Sequence, residues 1–202
     1  LRNLGSFIDS KSANELKIRA SKNKRGFTFI SQIKNSKFNN FYFFNVSEKK
    51  IDYEYQDLGG LIVSEAFSLK KDKIEILFDT LPQKIKNNKK IIQNILVGIL
   101  SKNYFFKNYK QKEQSKKIIS ISLVCSNKNI IKQALKYAES INTGVTETRN
   151  LVTTPPNILN PNNFVNQVKK LKKNGLKIEI LDEKKLKKIG MNALLGVGQG
   201  SS

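Results

Sequence analysis

Apolar residues along the chain follow two periods, short continuous runs and longer stretches in which they recur every three or four positions. Runs rich in β-branched and aromatic residues predict strands, and the longer period predicts helices with one apolar face. We therefore expect strands at 26–30, 41–46, 73–79, 118–125 and 176–181. We expect helices at 52–69, 88–105, 127–151, 161–174 and 183–189, and a loop at 191–197. Strands alternating with helices indicate an α/β protein with a largely parallel or mixed sheet.

Residues with special capping or backbone properties mark the ends of these elements. Asn127, Asn160 and Asp182 precede helical stretches, where their side chains can accept hydrogen bonds from unpaired backbone N–H groups. Glycines such as Gly175 and Gly190 follow helices, where a left-handed residue often ends the last turn. Gly59-Gly60, inside a predicted helix, is expected to permit close packing against a sheet.

The domain organisation follows from the long helix and the two prolines behind it. We predict an N-terminal α/β domain at 1–127, a connecting helix at 128–153 and the beginning of a second domain at 154–202. The last segment is too short to bury a core alone, so we expect it to belong to a larger domain. The chain begins without methionine, and we expect it to start inside a longer reading frame.

Composition excludes several kinds of site. The chain has no histidine and one cysteine, Cys125, which excludes histidine-based catalysis, histidine-ligated metals and an internal disulfide framework. No apolar run approaches the roughly 20 residues of a membrane span, and the N-terminus does not resemble a signal peptide.

The net charge of +21 raises the question of a nucleic-acid partner. Only four of the 37 basic residues are arginine, the side chain best suited to phosphate and base recognition. The densest run, 107–117, follows and includes aromatic residues and superficially resembles a single-strand binding surface. Because lysine, asparagine and isoleucine are enriched together, codon bias explains the charge better.

Local chemistry offers weak candidates. Residues 196–202 resemble a phosphate-binding loop but lack the required flanking strand and helix. Asp182-Glu183 fits a helix start, where the helix dipole favours acids. Cys125 is interpreted as a small core residue, and Arg149 as a group that fixes the adjacent proline-rich loop. Spacing alone reveals no catalytic constellation.

One segment carries a more specific signal. Residues 148–161, TRNLVTTPPNILNP, resemble the junction between the two domains of the leucyl (cytosol) aminopeptidase family. The match continues in order through LKIEILDE at 176–183, Gly190-Met191 and LLGVGQGS at 194–201. A looser likeness at 98–110 extends the useful resemblance to about residues 50–202.

The resemblance implies a macro-domain-like mixed sheet flanked by helices, then a long connecting helix and the first elements of a second α/β domain. It also implies that the first domain is truncated at its start, because the family has more sheet there. It implies a metal-dependent exopeptidase that releases N-terminal amino acids from peptide substrates. The family's two divalent ions, manganese or zinc, are held by carboxylates and a lysine. The resemblance further implies a homo-hexamer and a cytoplasmic location, with no membrane partner.

The family's two metal-binding motifs do not occur in the 202 residues. We therefore assign no catalytic, cofactor-binding or metal-binding residue within this chain, and we expect a fragment that is inactive alone. Arg149, Pro156 and Asn157 match family positions and are interpreted as hinge and loop-shaping residues. The alternative hypothesis is a basic α/β module that binds nucleic acid or a nucleotide ligand.

Overall fold

The structure is a computed structural model that describes residues 9–22, 27–34, 37–44, 46, 51–106 and 119–201. The chain divides into an N-terminal unit, residues 1–147, and a C-terminal unit, residues 148–202. The described helices of the N-terminal unit are α1 (Ser10–Lys22), α2 (Asp52–Ser68), α3 (Gln83–Lys86), α4 (Lys89–Lys102) and the first part of α5 (Lys128–Thr153). Its strands are β1 (Phe27–Lys34), β2 (Lys37–Phe44), β3 (Lys73–Leu77) and β4 (Ser120–Val124).

The described strands form two small sheets. β1 and β2 pair antiparallel from Phe27↔Phe44 to Lys34↔Lys37, and both extend further into polar sequence than predicted. Backbone hydrogen bonds sustain such a ladder whatever the side chains are, which is why polarity did not end the strands. β3 and β4 pair parallel, with Leu77 opposite Val124. The predicted α/β class is confirmed, and helices make up most of the described residues.

Helices α2 and α4 pack closely because each contributes a glycine at their contact. A β-carbon on Gly59 would overlap the carbonyl of Ile95 in α4, and one on Gly98 would overlap the carbonyl of Gln56 in α2. Gln56 also donates a 2.9 Å side-chain hydrogen bond to Asn94. The prediction that Gly59 packs against a sheet is therefore wrong: its close partner is a helix. A β-carbon on Gly60, in contrast, would meet no described atom within 4 Å outside its own helix backbone and chain neighbours.

The core of the N-terminal unit lies where α2, α4, α5 and the parallel strands meet. α5 contributes Ile131, Ala134 and Ala138, spaced so that they share one helix face. Beside this core, Asn103 joins the end of α4 to the start of β4. Its amide donates to the carbonyl of Ile119 at 2.7 Å, and its side-chain oxygen accepts from the Ile119 N–H at 2.9 Å.

The C-terminal unit continues from α5 into α6 (Pro161–Lys170), α7 (Glu183–Lys188) and α8 (Asn192–Gly198). As predicted, Asn160 caps α6 by accepting from the N–H of Asn163 at 3.0 Å. Asp182 caps α7 by accepting from the N–H of Lys185 at 2.9 Å. Gly175 and Gly190 adopt left-handed conformations, with φ of 82° and 79°. None of the described residues from 148 to 200 is buried.

Two predictions in the C-terminal unit are wrong. Residues 176–181 form no strand, since no described segment offers them a backbone partner, although Ile178 and Ile180 remain less exposed than their neighbours. Residues 191–197 form no loop: α8 begins at Asn192 and a 3₁₀ turn follows to Ser201. The strong helix formers Ala193, Leu194 and Leu195 prevail there over the nearby glycines.

No helix among the described residues is at once long enough and apolar enough to cross a membrane.

Candidate functional site

A cavity of about 160 Å³ lies at the carboxyl ends of β3 and β4, within the N-terminal unit. This end of a parallel sheet is where α/β proteins commonly bind ligands. The wall comprises residues that follow the two strands, together with residues of α3 and the start of α5. The lining residues are Phe78, Asp79, Gln83, Lys86, Asn87, Cys125, Ser126, Asn127, Ile130 and Ile131.

Asp79 and Ser126 tie the two strand ends together at this cavity. Both the backbone N–H and the hydroxyl of Ser126 donate to the Asp79 carboxylate, at 3.0 and 2.8 Å. These two hydrogen bonds lower the pKa of Asp79, and the nearby Lys86 ammonium lowers it further. Ser126 lies two residues before α5, so the carboxylate binds the chain just ahead of that helix.

Sequence reasoning did not predict that Asp79 pairs with Ser126, although a signal was present. Each residue lies two positions beyond the end of its strand, and the parallel register sets Leu77 opposite Val124. Equal offsets from paired residues on parallel strands place the two side chains at the same edge of the sheet.

Cys125 is partly buried and packs against the core of the N-terminal unit, in agreement with its predicted role as a small core residue. Burial raises the pKa of its thiol, and the negative charge of Asp79 raises it further. A raised pKa disfavours the reactive thiolate.

The segment around Arg149 forms the end of α5 and a tight turn. The hydroxyls of Thr153 and Thr154 each donate at 2.7 Å to a backbone carbonyl one turn earlier, on Arg149 and Asn150. The Pro155 carbonyl then accepts from the N–H groups of Ile158 and Leu159, at 3.0 and 2.9 Å. The turn contains Pro156 and Asn157. The proposed hinge and loop-shaping roles of these residues and Arg149 stay predictions.

The structure also bears on the other candidates from the sequence. Residues 196–200 lie in α8 and the following 3₁₀ turn, so they lack the preceding strand that a phosphate-binding loop requires. Asp182 acts as a helix cap, as expected. The basic run at 107–117 lies outside the described residues.

The described residues do not supply a metal site. No group of three or more histidine, cysteine, aspartate or glutamate side chains within the described ranges is arranged to hold an ion. The described side chains therefore do not fit the two metal ions that the resemblance implies, and no reaction step is assigned to these ions.

Comparison with known proteins first defines the structural class. The chain is similar to a mutant of tomato leucine aminopeptidase, with a TM-score of 0.63 and 21% sequence identity. The match covers 89% of this chain and 37% of the tomato chain. At this identity the likeness concerns the fold alone.

Sequence comparison then identifies the family. Residues 146–202 match the model of the cytosol aminopeptidase family, catalytic domain. A probable cytosol aminopeptidase of Phytoplasma mali is 38% identical over 156 residues, which cover 75% of this chain and 31% of that relative. One from Agrobacterium fabrum is 35% identical over 159 residues, covering 76% and 31%. The chain belongs to the cytosol aminopeptidase family and spans just under a third of the length of these relatives.

Proposed function

We propose that the protein containing these residues is a metal-dependent aminopeptidase that releases N-terminal amino acids from peptides. The observation that carries the proposal is the match of residues 146–202 to the catalytic domain of the family. The two relatives described above are both named probable cytosol aminopeptidases, which supports the same activity and a cytosolic location.

Two divalent ions, manganese or zinc, would supply the chemistry by polarising the scissile carbonyl and activating water. The described part of this chain holds no suitable donor cluster, and the family's metal motifs are missing from the 202 residues. We therefore place the metal ligands in residues other than these.

The domain organisation is part of the proposal. We propose that residues 1–127 form a macro-domain-like N-terminal domain, 128–153 a connecting helix and 154–202 the beginning of the catalytic domain. Large apolar side chains in the last segment support this assignment because they stay exposed: Phe164 is 45% exposed, Leu194 51% and Val197 78%. Further residues of a catalytic domain would cover such side chains.

We further propose that the complete protein assembles as a homo-hexamer, as the family resemblance implies. Size-exclusion chromatography with light scattering on the complete protein measures the mass of the assembly. A monomer at micromolar concentration would contradict the hexamer without bearing on the peptidase activity.

Hydrolysis of leucine p-nitroanilide tests the proposed activity. The complete gene product, supplied with manganese, should release p-nitroaniline, and a chelator should abolish the release. The 202-residue chain under the same conditions should give no turnover and serves as the control. Metal-dependent turnover by the 202 residues alone would contradict the placement of the ligands elsewhere, and an inactive complete protein would contradict the activity.

A further inference from the structure

The cavity at the ends of β3 and β4 combines an apolar floor with a rim that carries both signs of charge. Phe78 and Ile131 are 3% and 7% exposed and provide buried apolar surface. Asp79 and Lys86 contribute one carboxylate and one ammonium to the same wall. They are near enough for the Lys86 charge to influence the ionisation of Asp79.

The size of the cavity suits a small ligand. Its volume of about 160 Å³ is close to that of cavities that admit a benzene-sized molecule, about 150 Å³. A single small molecule with a short apolar side chain fits this space.

The charge arrangement also disfavours a phosphate. The N–H and the hydroxyl of Ser126, two residues before α5, both donate to Asp79. A phosphate at this position would face the Asp79 carboxylate. A molecule carrying both an ammonium and a carboxylate, in contrast, meets a complementary charge at each end.

Carboxamide side chains complete the polar rim. Gln83, Asn87 and Asn127 line the cavity, and each carboxamide offers both hydrogen-bond donors and an acceptor. Such groups serve either end of a zwitterion. The lining therefore matches a small molecule with two opposite charges and an apolar body.

We propose that this cavity binds a free α-amino acid with an aliphatic side chain. The ammonium of the ligand faces Asp79, its carboxylate faces Lys86, and its side chain lies on Phe78 and Ile131. Binding uses only residues of the N-terminal unit and no metal ion. It therefore stands or falls independently of the peptidase activity.

Titration of the 202-residue chain with L-leucine, followed by NMR and calorimetry, tests the proposal. We expect a Kd of about 1 mM, with shifts in the amide signals of Ser126 and Asn127. Leucinamide lacks the carboxylate and isocaproate lacks the ammonium, so each should bind at least about tenfold more weakly.

Variants locate the site. Lys86→Met should weaken leucine binding about tenfold or more. Lys89→Met removes the same charge from an exposed lysine that does not line the cavity, and it should leave binding unchanged. Circular dichroism and the melting temperature establish that each variant is folded. Asp79→Asn, if folded, should also weaken leucine binding.

Three results would overturn the proposal. The first is an absence of shifts at about 10 mM leucine, tenfold above the expected Kd. The second is equal affinity for leucine and for either analogue that lacks one charge. The third is leucine binding that Lys86→Met leaves unchanged in a folded protein.

Discussion

The α-carbon of Gly98 in α4 faces the backbone of Gln56 in α2 so closely that no side chain fits between them. A β-carbon on Gly98 would lie 2.7 Å from the carbonyl carbon of Gln56, which is backbone and cannot rotate away. The closeness of the two helices at this point is therefore set by the absence of a single carbon atom.

Gly98→Ala should destabilise the protein by about 1–3 kcal/mol, because the helices must separate to admit the methyl group. Gly60→Ala is the matched control, since it adds the same methyl group where no described atom beyond its own helix backbone and chain neighbours lies within 4 Å. The control should stabilise α2 by up to about 1 kcal/mol through helix propensity. Urea unfolding curves measure both changes, and equal effects of the same sign would contradict the packing argument.

Asp79→Asn should destabilise the N-terminal unit by about 1 kcal/mol, because the charged acceptor of the two Ser126 hydrogen bonds is lost. Asp72→Asn removes the same charge from an exposed residue, and it should change the free energy of unfolding little.

The hydrogen bonds between Asp79 and Ser126 predict that the stability of the protein depends on pH. The pKa of Asp79 is lower folded than unfolded, so its stabilising contribution is complete above the unfolded pKa of about 3.9. The contribution is lost as the pH falls below that value toward the folded pKa. The stability difference between the original chain and Asp79→Asn should therefore shrink on acidification below about pH 4. A difference that stays constant over this range would contradict the role of the ionised carboxylate.

Asn103→Asp should remove one of the two hydrogen bonds that Asn103 makes with Ile119 and keep the other. An aspartate can still accept from the Ile119 N–H, but it has no amide to donate to the Ile119 carbonyl. Hydrogen exchange should show the Ile119 amide still protected in Asn103→Asp and more exposed in Asn103→Ala. The alanine variant should lose about 2 kcal/mol, since two partly buried backbone groups lose their partners. Equal protection in both variants would rule out the side-chain acceptor.

Stability should reside in the N-terminal unit. Leu96 is 1% exposed, and Leu96→Ala should cost about 2–5 kcal/mol. Leu194 in α8 is 51% exposed, and Leu194→Ala in the 202-residue chain should stay within about 0.5 kcal/mol. Thermal unfolding measures both. A large loss from Leu194→Ala would show that the C-terminal unit has a core of its own.

The sequence predicted elements wherever local signals and tertiary context agree. Helices capped by Asn160 and Asp182 appear where expected because their capping hydrogen bonds lie within three residues. The apolar alternation at 176–181 resembles a strand, but a strand also needs a neighbour, which no local pattern reveals. The partner of Gly59 was missed for the same reason: a glycine inside a helix indicates close packing, but the local sequence does not show which element packs against it.

The candidate site shows the same difference between features that the local sequence predicts and features that depend on the tertiary structure. The family resemblance rests on residues that are contiguous along the chain, so the motifs at 148–161 and 194–201 could be identified from the sequence directly. The Asp79–Ser126 pair joins residues 47 positions apart. Its detection requires knowing that β3 and β4 are parallel neighbours in a particular register.

Helix α5 runs unbroken from Lys128 to Thr153, while the division between the two compact units falls between Glu147 and Thr148. The boundary thus lies inside a ladder of backbone hydrogen bonds, each spanning four residues. An expressed piece that ends at this boundary would cut through the helix and leave backbone carbonyls without donors. A piece that ends after Thr153 would instead contain the whole helix. The second choice keeps the amphipathic segment intact and assigns the connecting residues to the part of the chain that has a core.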